Sequence, residues 1–169
     1  MDLIVRRMGT GEAILHCGHN RFRAAIGAGG IGVKRREGDG VTPVGVFPPR
    51  LVFYRVDRLA CPSTALPVAK IESDDGWCDA PLDPLYNRRI KRPYGASTET
   101  LWRDDHLYDL LVVLGFNDAP VVPGAGSAIF LHVARPDFAP TTGCIALALD
   151  NLVKVVATLA PDDSITIMQ

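Results

Sequence analysis

The chain has 169 residues, with 47% hydrophobic and 22% charged positions and a formal net charge of -1. Those values suit an ordinary globular domain able to bury its own core, so the expectation is one domain over residues 1–169, and disordered, collagen-like and fibrous classes are excluded. The charge is uneven: ten Lys/Arg against five Asp/Glu up to Arg58, then eight against fourteen from Leu59 onward.

The basic part lacks the clustered cations with interleaved aromatics of nucleic-acid binders, and the pI near 6.4 points the same way, so no nucleic-acid partner is expected. No apolar run approaches the ~18 residues needed to span a bilayer. The start offers only Leu3, Ile4 and Val5 before Arg6 and Arg7, too short for an export signal. That leaves localisation open between the cytoplasm and an envelope site reached with a leader outside this sequence.

In chain order, Leu3 to Met8 and Glu12 to Cys17 read as a hairpin around Gly9-Thr10-Gly11, and Arg21 to Ile26 follows a second turn. Gly27 to Gly32 matches the GxGxxG spacing. However, Gly38, Gly40 and Pro43 interrupt what should be a phosphate-binding helix, so these glycines are read as turns. Val46 to Val56 alternates as one strand, with Pro48-Pro49 marking an edge or bulge. Asp57 to Arg92 is a long irregular stretch of the kind that carries function on a rigid scaffold.

Ser97 is expected to cap a short helix through Arg103, and Leu107 to Phe116 and Ser127 to Ala134 to form central strands. Asp150 is the expected N-cap of one strong helix, in which Leu152, Val153, Val155, Val156 and Leu159 form an apolar stripe up to Pro161. Ser164 to Met168 closes the chain as a strand.

The paired acids Asp74-Asp75, Asp104-Asp105 and Asp162-Asp163 point to opposite faces of an extended chain and read as solvated turns. His16, Cys17 and His19 lack a fourth ligand, so no metal site is expected. Cys61 and Cys78 flank a loop, which leaves a disulfide between them open. The remaining constellation is His132, ending an apolar strand, and Cys144, opening the next segment after a proline-containing loop. An imidazole beside a thiol can take its proton and supply the attacking thiolate. Gly143 lets the backbone turn so that its amide groups can face a developing oxyanion.

The stretch Gly126 to Leu149, GSAIFLHVARPDFAPTTGCIALAL, resembles the catalytic segment of the L,D-transpeptidase (YkuD, or ErfK/YbiS/YcfS/YnhG) family, in which a histidine and a loop precede Ser/Thr-x-Gly-Cys. Gly38 to Phe47 is similar to that family's Thr-Pro-x-Gly-x-Phe segment, and Gly76-Trp77, Tyr86-Asn87 and Asn117 extend the likeness over most of the chain.

The resemblance implies a mainly β sandwich or barrel with one main helix near the C-terminus and short helices in loops. It also implies an enzyme acting on peptidoglycan stem peptides through a Cys144 thioester, with transfer to an amine acceptor and no cofactor. On the same grounds His132 is the base, the Val133 carbonyl orients its ring, and the Gly143 and Cys144 amides hold the oxyanion. Thr142 and Ala146 depart from the family's more usual second histidine and its Arg or Asn. Arg135, His106, Asn117 and Thr142 are therefore expected to contact substrate. Resolution of the thioester by water, giving an L,D-carboxypeptidase, and a non-catalytic wall-peptide binder remain alternatives. The acceptor and the oligomeric state stay open.

Overall fold

A computed structural model describes residues 2–169. The first strands are β1 (Asp2–Gly9), β2 (Glu12–Cys17) and β3 (Asn20–Ala25), an antiparallel meander as expected. The glycine-rich segment then runs into two-residue strands β4 (Ile31–Gly32) and β5 (Thr42–Pro43), which pair in parallel, and no helix follows the GxGxxG spacing. Gly27 is required there by crowding: a Cβ would lie 2.1 Å from the Gly40 carbonyl oxygen.

The alternating run around Pro48 is two strands, β6 (Gly45–Phe47) and β7 (Pro49–Tyr54), which corrects the expectation of one. Proline has no amide to donate, so the ladder ends at Pro48, and the two halves pair with different parts of the sheet. The irregular stretch holds β8 (Val68–Lys70), β9 (Asp75–Cys78) and β10 (Arg89–Lys91). The expected helix from Ser97 is instead strand β11 (Thr98–Thr100), whose β-branched threonines pair with Cys78 and Gly76 of β9.

The apolar segments give β12 (Leu110–Leu114), β13 (Phe130–Val133) and β14 (Ile145–Leu147), followed by α1 (Leu149–Thr158) and β15 (Ser164–Met168). α1 is the only α-helix among the described residues, and the loops carry turns in place of the short helices expected. Its N-cap is Ala148, without a side-chain cap, and Asp150 lies in the first turn, where its charge complements the helix dipole. The helix buries Leu152, Val155 and Val156, while Val153 is 43% exposed, so the apolar stripe is narrower than expected.

Ten strands form one curled sheet in the order β6-β15-β1-β2-β3-β14-β13-β12-β7-β8, and β10-β9-β11 form a small second sheet. Strand alternation divides the core between the two faces of the large sheet. Leu110, Val112, Leu131, Val133, Ile145 and Leu147 face the main core with α1. Leu111, Val113, Phe130 and Cys144 face a second core, to which the small sheet contributes Trp77 of β9.

Candidate active site

The candidate site lies on the second face. His132 pairs with Leu111 of β12 on one side and, in parallel register, with Ala146 of β14 on the other. Cys144 is two residues before Ala146, so it shares that face and stands diagonal to His132. Parallel neighbours need a long crossover, and residues 134–144 supply it. The crossover is pinned where the Thr141 amide donates to the Ile26 carbonyl at 2.9 Å and the Ala28 amide donates to the Thr141 carbonyl at 3.0 Å.

His132 is buried, and its Nδ1 donates to the Val133 carbonyl at 2.8 Å. A carbonyl only accepts, so Nδ1 carries the hydrogen and Nε2 keeps the lone pair of a neutral base. The Tyr108 ring packs edge-on to the imidazole at 5.2 Å between centroids. Burial pushes the His132 pKa down to about 4, against the Val133 carbonyl, which favours the charged ring. The Cys144 thiol is likewise buried, donating to the Ala128 carbonyl at 3.1 Å and accepting from the Phe130 amide at 3.4 Å. Burial, and next the negative charge of Glu99, push its pKa up to about 12. Both shifts favour the uncharged forms, a neutral thiol and a neutral imidazole, near neutral pH.

Cys144 and His132 wall one cavity of about 200 Å³ together with Glu99, Arg103, Tyr108 and Arg135. Ala146 also lines it, directly across from His132, so the small side chain leaves open a volume that an Arg or Asn would fill. Arg103 lies 5.2 Å over the Tyr108 ring and pairs with Asp105, and Arg135 is exposed on the crossover. Tyr108 donates to the Glu99 carboxylate, and burial raises the pKa of each group. Glu99, Arg103 and Tyr108 were not singled out in the sequence. Glu99 lies on β11 of the small sheet and Arg103 and Tyr108 in the loop between β11 and β12, and no local pattern marks their convergence.

Of the residues expected at the site, Thr142 and Arg135 line the cavity with Cys144 and His132. His106 and Asn117 are not among the residues walling it. The His106 Nδ1 is 2.7 Å from Asp109 Oδ2, and its side chain is 69% exposed. Asn117 orders its own loop, its Nδ2 donating to the carbonyls of Gly126 at 2.8 Å and Val122 at 3.0 Å. The Gly143 amide donates to Thr141 Oγ1 at 3.1 Å, so stabilising an oxyanion there requires that this bond yield. Gly143 itself has φ 143°, a conformation that disfavours a side chain.

Cys61 is exposed and Cys78 buried, and no disulfide joins them. Among the described residues no three His, Cys, Asp or Glu side chains are placed to hold a metal ion, and no helix is long and apolar enough to cross a membrane.

A mainly β sheet thus brings a cysteine and a histidine to the wall of one cavity. The family model of the L,D-transpeptidase catalytic domain, YkuD, matches residues 15–167, and the chain belongs to that family. No curated protein and no solved structure matches the chain.

Proposed function

We propose that the protein is a cysteine-dependent L,D-transpeptidase of peptidoglycan stem peptides. The observation that carries this reading is the placement of Cys144 and His132 in one cavity wall, with the imidazole tautomer set by the Val133 carbonyl. A stem peptide enters with the carbonyl of its third residue, the L-centre joined to D-Ala, against Sγ. His132 Nε2 accepts the thiol proton as sulfur attacks, so the thiolate forms only as the carbon–sulfur bond does. The same proton passes to the D-Ala amine, which leaves, and a thioester remains on Cys144. An amine acceptor then attacks the thioester, restoring the thiol and giving a new amide.

Arg103 and Arg135 stand in the cavity wall where they can pair with a substrate carboxylate, the task that Ala146 cannot perform. The test is mass spectrometry of the protein incubated with a disaccharide tetrapeptide, with and without an added amine. An acyl adduct on Cys144, released D-Ala and an amide product establish the transpeptidase. Tripeptide alone assigns an L,D-carboxypeptidase, and bound peptide without an adduct assigns a binding module.

A further inference from the structure

A separate cavity of about 190 Å³ lies between the large sheet and β9, and it shares no residue with the wall that holds His132 and Cys144. Its floor is a row across three neighbouring strands. Leu51 of β7, Val113 of β12 and Phe130 of β13 stand opposite one another in register, all on the second face of the sheet. Trp77 of β9 forms a side wall, its ring edge-on to Phe130 at 5.2 Å between centroids.

The polar and charged residues of this cavity are Asn87, Arg50, Arg88 and Asp118. Asn87 is fully engaged: its Oδ1 accepts from the Trp77 indole and the Ala128 amide, and its Nδ2 donates to two carbonyls. Arg50 pairs with the Asp118 carboxylate at 2.8 Å. Arg88 donates instead to the Asp118 backbone carbonyl at 2.9 Å, a neutral acceptor that leaves its charge unmatched. Two guanidinium groups against one carboxylate give the wall a net charge of one cation.

An apolar, partly aromatic chamber with one unmatched guanidinium suits a monoanion with an apolar body, and a carboxylate matches the planar fork of arginine. Apolar cavities of about 150 Å³ accept a benzene ring, so a phenyl-sized body fits. We infer that this cavity is a binding site for a small organic carboxylate, its apolar body lying on Leu51, Val113 and Phe130 against Trp77 and its carboxylate on Arg88. The site is independent of the acyl-enzyme and stands whether or not one forms. A free acid or the end of a peptide chain carries the required chemistry.

The test titrates 3-phenylpropanoate into the protein and follows the Trp77 indole N–H and the Leu51 and Val113 amides by NMR. The three signals should shift along one saturating curve. The neutral 3-phenylpropanamide and the ringless propanoate should each bind more weakly. Arg88→Gln alters an exposed side chain and keeps the fold; it should weaken the acid by roughly three- to tenfold, as suits a charge-assisted contact open to water, and leave the amide unchanged. Asp118→Asn removes the one carboxylate on the wall and should tighten the acid.

Leu51→Trp should block binding by filling the cavity, and the Arg88 variant decides the matter if that protein fails to fold. A peptide ending in phenylalanine that binds as tightly as the free acid supports the site with a chain end as its source, and weaker binding of the peptide supports it with a free acid. No shift at the three signals, shifts confined to the Thr142 and Ala146 amides, or equal affinity for acid and amide overturns the inference.

Discussion

Asn87 Oδ1 accepts the Ala128 amide at 3.1 Å, and the carbonyl of the same Ala128 receives the Cys144 thiol at 3.1 Å. Asn87 Oδ1 also accepts Trp77 Nε1, and its Nδ2 donates to the Phe116 and Asn117 carbonyls, so one buried side chain holds the backbone against which Cys144 rests. Its φ of 58° suits asparagine better than most residues. Asn87→Ala leaves the indole and the Ala128 amide unpartnered and should cost about 2 to 6 kcal/mol, summing penalties of about 1 to 3 kcal/mol for each orphaned group. Urea unfolding measures the loss, and an unchanged midpoint refutes it.

Cys144→Ala should abolish the acyl adduct and leave the melting temperature within a few degrees, because a small thiol contributes little packing. Alkylation offers a second reading of the same site. With the Cys144 pKa near 12 and Cys61 exposed, iodoacetamide at neutral pH should label Cys61 well before Cys144, and the Cys144 rate should climb with pH. Peptide mapping after timed labelling gives the order, and fast labelling of Cys144 at pH 7 contradicts a neutral resting pair.

The His132 pKa, near 4 in the folded protein against an ordinary 6.5, fixes the sign of a pH effect on stability. The unfolded chain binds the proton more readily, so stability falls as pH drops from about 6.5 toward 4 and levels off below. The full span is up to about 3 kcal/mol at ~1.4 kcal/mol per pKa unit. His132→Gln should flatten that part of the curve. Denaturant midpoints of wild type and variant at pH 7 and pH 4.5 test this, and parallel losses in the two proteins argue against it.

Arg135→Ala should raise KM for a donor peptide with a free carboxylate by roughly three- to tenfold with little change in kcat, since an exposed arginine contributes binding weakened by water. A C-terminally amidated donor should be indifferent to the substitution. Equal effects on both donors would mean that the arginine does not read the carboxylate.

The strands nearest the chemistry were legible because their alternation is strong. Leu131 and Val133 against His132, and Ile145 and Leu147 against Cys144 and Ala146, already assign the two faces, so the placement of His132 and Cys144 on one face follows from period two and the Thr-Gly-Cys turn. The split at Pro48 was not legible, because both halves alternate alike and only the pairing of Val46 with Thr166 and of Val52 with Val112 separates them. Ser97 looked like a cap because local sequence does not show that β9 lies alongside to pair with Thr98 and Thr100. Leu51, Trp77 and Val113 come from three distant segments, and no spacing rule links them.

The outermost strands of the large sheet, β6 and β8, are three residues each. β6 is followed by Pro48, and β8 is preceded by Pro67 and ends at exposed Lys70. A visiting strand from another copy would find only a few backbone groups to pair with at either rim, beside a proline and, on one side, a lysine charge. Edge-to-edge polymerisation is thereby discouraged at both ends, and a sheet of ten strands can stay dispersed at high concentration without closing fully into a barrel.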